Sequence, residues 1–168
     1  DIKRLLATLA VLLCIVLGFM LYLSWPLMTG TTIILATQPI DPFDIFRGQY
    51  ISILYEIATI PLIEGAKEGN KVYVGLKEDQ GSIWRFEKAS LEKPSEGIFI
   101  KGTIRSVSSN LRVEYGIEQY FFERHAEFPT ANLTVEAKVS KNGQARIVQL
   151  LQEGKPLRIV YQNVSLTS

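Results

Sequence analysis

The sequence has one histidine, His125, and one cysteine, Cys14. So few imidazole and thiolate ligands argue against a zinc or haem centre. Cys14 lies inside an apolar run, which leaves the rest of the chain without a disulfide or a thiol nucleophile. His125 sits in the polar stretch Glu123-Arg124-His125-Ala126-Glu127, with no G-x-S-x-G turn elsewhere to complete a serine triad. Neither G-x-G-x-x-G nor G-x-x-x-x-G-K-[ST] occurs, so no nucleotide partner is expected. An excess of one charge is missing too: 18 basic residues face 17 acidic ones, and without Asp1, Lys3 and Arg4 the remainder balances. A nucleic-acid partner would call for a clustered basic excess. At 47% hydrophobic and 21% charged residues the chain is too apolar to be disordered. The reading to this point is of a protein without cofactors or metal.

What the sequence does have is one long hydrophobic run. From Leu5 to Leu23 it reads LLATLAVLLCIVLGFMLYL, uncharged and with Thr8 as its clearly polar residue. As a helix this run is roughly 28 Å long, close to the hydrocarbon thickness of a bilayer. Lys3 and Arg4 precede it, and Tyr22 and Trp25 close it, as in a span with a positive cytoplasmic flank and an aromatic belt at the far interface. The bulky residues after the run do not resemble a signal-peptidase site, so an uncleaved anchor over residues 1–28 is expected, contacting lipid through residues 5–25. Pro26 and Gly30 are expected to end the helix. The domain formed by residues 29–168 would then lie outside the cytoplasm, periplasmic or extracellular.

After Gly30, short runs rich in Ile, Val, Tyr and Phe alternate with Gly, Pro, Asn and Asp clusters, the pattern of an antiparallel β fold. Strands are predicted at Thr32–Thr37, Gln49–Thr59, Lys71–Lys77, Ile83–Ala89, Ile98–Val107, Leu111–Phe122, Leu133–Val139, Ala145–Leu151 and Leu157–Tyr161. Asn142-Gly143 predicts a type I′ turn, and Asp79-Gln80-Gly81 and Glu153-Gly154-Lys155 two further hairpin ends. Alternation in Thr103–Val107 and in Leu133, Val135, Ala137 and Val139 predicts one buried and one wet face. The fold class is therefore mainly β: one N-terminal transmembrane helix followed by a single antiparallel β-sandwich or partly open β-barrel. Asn132-Leu133-Thr134 and Asn163-Val164-Ser165 are glycosylation sequons.

The stretch from Ile33 to Ile57 contains Gly48-Gln49-Tyr50-Ile51-Ser52-Ile53-Leu54-Tyr55. It resembles the central motif of the membrane-anchored GDYXXLXY protein family, with Gln49 in place of the family's Asp and Ile53 in place of its Leu. Pro39-Ile40-Asp41-Pro42, Phe46-Arg47-Gly48, Tyr115-Gly116-Ile117-Glu118 and Asn142-Gly143-Gln144-Ala145 are similar to the family as well. The resemblance implies a short anchor, an outer domain and no assigned activity.

Read physically, Asp41-Pro42-Phe43-Asp44 has the composition of a β-turn, and Gly48 that of a bulge before the next strand. A binding site would gather Asp41, Asp44, Arg47, Tyr50, Tyr55, Tyr115, Glu118 and Tyr120. The alternative is structural: Arg47 pairs with Asp44 or Glu118, and the tyrosines pack with their hydroxyls satisfied. Tyr120, Phe121, Phe122 and Phe128 exceed what one strand face would bury, so part of this aromatic set is expected at a contact surface. The expected function is a non-catalytic accessory subunit docking on other membrane-protein subunits. The alternatives are a module for a small ligand, peptide or envelope polymer, and a hydrolase built on Asp41, Asp44 and Glu118.

Overall fold

In a computed structural model the described residues are 1–39, 50–121, 126–127, 132–157 and 160–161, and those at 25–28, 50, 126–127 and 160–161 are described by backbone alone. Helix α1 covers Ile2–Thr29, and its segment Ile2–Ser24 is long and apolar enough to cross a membrane, with none of it covered by the rest of the chain. The polar group inside the run is internally satisfied: the Thr8 hydroxyl donates to the Arg4 carbonyl at 2.8 Å, as an apolar surrounding requires. The helix runs on through Pro26, contrary to expectation, and stops at Gly30. Proline removes one amide from the helical ladder but keeps a helix-compatible φ, so an apolar helix tolerates it.

The remainder is β structure. Its strands are β1 (Thr31–Ala36), β2 (Tyr50–Ser52), β3 (Thr59–Pro61), β4 (Lys71–Glu78), β5 (Trp84–Ser90), β6 (Ile98–Val107) and β7 (Asn110–Glu114). They continue with β8 (Gln119–Phe121), β9 (Ala126–Glu127), β10 (Leu133–Val139), β11 (Ala145–Gln152), β12 (Lys155–Pro156) and β13 (Val160–Tyr161). Nine strands form one sheet in the order β12-β11-β10-β1-β5-β4-β6-β7-β3, while β2 pairs with β8 and β9 with β13. Pairing in the large sheet is antiparallel except at Leu35 and Trp84, where β1 and β5 run parallel. The sheet coils back on itself, and the β10–β11 turn reaches β6, where the Lys101 amide donates to the Gly143 carbonyl at 2.8 Å. It is not a closed barrel, because β12 and β3 remain its edges; both are short and carry a proline, Pro156 and Pro61.

The concave face holds the core. Leu133, Val135, Ala137 and Val139 of β10 are all buried, as their alternation predicts, and meet Ile33 and Leu35 of β1, Val72 and Val74 of β4, and Ile100 and Ile104 of β6. Each such side chain contributes about 1.5–3 kcal/mol when fully withdrawn from water. No buried residue among those described is polar or charged. Alternation fails after Ile104, where a bulge shifts the β6–β7 register and leaves Val107 exposed.

The two longest predicted strands are each broken. Gln49–Thr59 becomes β2, an isolated bridge between Thr37 and Tyr55, and a 3-10 turn over Glu56–Ala58 leading into β3. Leu111–Phe122 becomes β7 and β8, divided at Gly116, whose φ of +81° is that of a turn. Of the predicted Leu157–Tyr161 strand, Val160–Tyr161 forms β13.

Turn chemistry also departs from expectation. At Asn142-Gly143 only Gly143 has a positive φ, +81°, and its amide donates to the Ser140 carbonyl while the Ser140 amide bonds to Gln144. This is a three-residue hairpin closed by a glycine bulge rather than a type I′ turn. The type I′ geometry occurs instead at Glu153-Gly154, both with positive φ, between Gln152 and Lys155. At Asp79 the carboxylate accepts the amides of Gly81 and Ile83 and closes the β4–β5 loop. The Arg85 guanidinium beside it, with those two amides, holds this carboxyl below its usual range.

Candidate functional site

Tyr55 and Tyr115 belong to segments some sixty residues apart that the fold lays side by side. The Tyr55 hydroxyl donates to the Ile117 carbonyl at 2.6 Å, and the Tyr115 hydroxyl donates to the Ile57 carbonyl at 2.7 Å. The bonds are reciprocal, since each phenol reaches the carbonyl two residues beyond the other tyrosine. Both rings are buried. Glu118 completes the junction: its carboxylate accepts the amides of Tyr115 and Gly116, and its carbonyl accepts the Ile53 amide at 2.6 Å. Gly116 is needed here because the turn that Glu118 caps demands a positive φ.

Burial first, and the Glu118 carboxylate second, push both phenols above the ordinary tyrosine pKa. They stay protonated and serve as donors to buried carbonyls, so neither can act as a base, a nucleophile or a ligand contact without opening the core. Tyr120 is half-buried against the same core, and Phe121 is largely exposed. Tyr50 opens β2, its backbone paired with Phe121. Asp41, Asp44 and Arg47, together with Gly48, His125, Phe122, Phe128 and the Asn163 sequon, lie outside the described residues. Asn132 is exposed, with a φ of +58° just before β10. Among the described residues no three His, Cys, Asp or Glu side chains come together to hold a metal.

Sequence reasoning missed a different feature. Where the sheet coils back, β6 and β7 on one side and β11 on the other enclose an open groove of about 680 Å³. Lys71, Lys101, Arg105 and Arg146 line it, with Glu114 as its acidic residue. Glu114 is taken up by Arg105, and the Lys71 amine donates to Thr103 at 2.7 Å. The side chains of Lys101 and Arg146 make no ion pair among the described residues. Gly102 forms the floor: a Cβ there would stand 2.3 Å from Val113 Cγ1 and 3.1 Å from the Glu114 carbonyl, so only glycine lets β7 pack this close. Lys101, Thr103 and Arg105 recur every second residue along β6, a signal that was visible in the sequence, whereas Arg146 joins them only through the coiling of the sheet.

A helix long and apolar enough to cross a membrane, feeding a coiled, mainly antiparallel β domain with the motif's Tyr55 buried in its core, defines the type of protein. The chain belongs to the GDYXXLXY protein family, whose family model matches residues 12–150. No curated protein and no solved structure matches it. In this chain the motif's last two fixed positions, Ile53 and Tyr55, are both core residues.

Proposed function

We propose that this protein is a non-catalytic accessory subunit. The helix anchors it in the membrane with the N-terminus cytoplasmic, and the β domain, outside the cytoplasm, docks on a partner subunit through the groove between β6 and β11. The observation that carries this reading is the groove itself, where four cations face one carboxylate that is already paired. Such a surface complements an acidic segment of another protein. The open form favours a partner's segment over a small ligand, because small-molecule sites bury most of their occupant. The hydrolase alternative has little support, since the Glu118 carboxylate is committed to two backbone amides. Lys3 and Arg4 before the span support the orientation.

The test is purification of the full chain from native membranes in mild detergent, alongside Lys71→Glu/Lys101→Glu. The wild type should retain a defined partner and the variant should lose it without a change in melting temperature. Equal retention by the two proteins refutes the groove. Protease added outside spheroplasts should digest the β domain, and a protected C-terminus refutes the orientation.

A further inference from the structure

The end of the domain nearest α1 has a cleft of its own. It measures about 680 Å³ and lies between the last turns of the helix and the β10–β11 hairpin. One wall is Leu21, Tyr22 and Leu23; the other is Lys141, Gln144 and Arg146. The helix side is apolar apart from the Tyr22 phenol and Thr29, and the hairpin side carries two cations, the amides of Asn142 and Gln144, and Ser140. Across the hairpin tip the Lys93 amine donates to Asn142 at 2.9 Å and brings a third cation to the same edge. Glu96, on the neighbouring face of this edge, is the acidic residue nearby.

Depth follows from the helix. Residues 21–23 end the apolar run, and Thr29, which also lines the cleft, ends the helix, so the cleft extends about 12 Å along the helix axis at 1.5 Å per residue. If Leu5–Leu23 fills the hydrocarbon layer, Lys141 and Arg146 stand at the level of the headgroups. A cleft at that level, apolar toward the helix and cationic toward the domain, has the polarity of a phospholipid viewed from the side. From this we infer that the cleft between α1 and the β10–β11 hairpin binds the headgroup of an anionic phospholipid, its phosphate on Lys141 and Arg146 and its glycerol and first methylenes against Leu21–Leu23. The inference rests on the membrane-span reading, but not on which side of the membrane the domain faces. The lipid would fix the tilt of the domain on its helix, because both walls of the cleft contact one molecule.

The experiment is native mass spectrometry of the full chain in detergent micelles, titrated with phosphatidylglycerol, phosphatidylcholine or free glycerol phosphate. A cation beside an anionic headgroup contributes about 1 kcal/mol, so phosphatidylglycerol should be retained about fivefold more than phosphatidylcholine per cation engaged. Glycerol phosphate, lacking acyl chains, should not be retained. Lys141→Gln/Arg146→Gln should remove the preference, and Lys141→Arg should keep it. Trp84 fluorescence checks that each variant remains folded. Equal retention of the two lipids, a preference that survives the double variant, or binding of glycerol phosphate as strong as that of the lipid would each overturn the inference. Extraction of membranes with alkaline carbonate separates the two readings: release of the chain refutes the span, whereas a chain that stays in the membrane without lipid preference refutes the lipid site alone. Loss of the partner in Lys71→Glu/Lys101→Glu bears on neither, because those residues lie outside the cleft.

Discussion

Tyr55→Phe and Tyr115→Phe test the reciprocal tie most directly. Each replacement keeps the buried ring and removes one hydroxyl, so the packing term is nearly unchanged and the loss is electrostatic. The carbonyl of Ile117 or Ile57 is left without its tyrosine donor in a core whose buried side chains, the other tyrosine's hydroxyl apart, are apolar among the described residues. A net hydrogen bond contributes about 1 kcal/mol and an orphaned buried acceptor costs about 1–3 kcal/mol, so each variant should lose about 1–2 kcal/mol. For a domain of this size that lowers Tm by about 3–8 °C. The two bonds hold the same pair of segments, so cutting one should loosen the other. The double variant should therefore lose about 0.5–1 kcal/mol less than the sum of the singles. Urea unfolding of the full chain in micelles, followed by the fluorescence of half-buried Trp84, measures all four corners of the cycle. Strict additivity, or single variants that unfold with the wild type, would refute the account of a shared junction.

Two further outcomes follow from the same geometry. Gly143→Val places a Cβ 2.9 Å from the Phe99 ring and 3.0 Å from the Lys101 amide at a φ of +81°. It should cost about 2–4 kcal/mol and weaken the closure of the sheet, which hydrogen exchange at the Lys101 amide would register. The pH dependence is set by the two phenols. Their folded pKa values are raised, so the stability they confer is complete below the unfolded tyrosine pKa of about 10 and declines as pH rises above it. Tyr55→Phe/Tyr115→Phe, less stable at neutral pH, should show a shallower decline between about pH 10 and 12 in the same urea assay. Parallel declines would mean that the phenols ionise in the folded state.

The mainly β class, the apolar helix and the strands β4, β5, β6, β10 and β11 were all legible, because each depends on local alternation or on an uninterrupted apolar run. The junction was not. Nothing near Tyr55 announces a carbonyl at Ile117, and Gln49–Thr59 and Leu111–Phe122 both read as single strands because their β-branched and aromatic residues suit a strand wherever it bends. The turn error has a similar cause. Asn-Gly is the stronger type I′ signal, yet the register of β10 on β11 placed three residues in that loop and left the two-residue geometry to Glu153-Gly154. The groove was hidden for a topological reason, since Lys71, Lys101 and Arg146 come from three strands and are each ordinary exposed cations until the sheet coils.

The prolines at the sheet's two borders restrict how this domain can meet other molecules. β3 has only the amides of Thr59 and Ile60, and β12 only that of Lys155, so neither border can template a further strand of useful length. Chains tethered side by side in one membrane meet far more often than free ones, and a bare sheet margin would then become a seed for cross-chain ribbons. Here that route is closed at both ends. Under the proposed docking role, recognition would fall to side chains on the sheet's faces, and neighbouring copies could crowd without fusing through these margins.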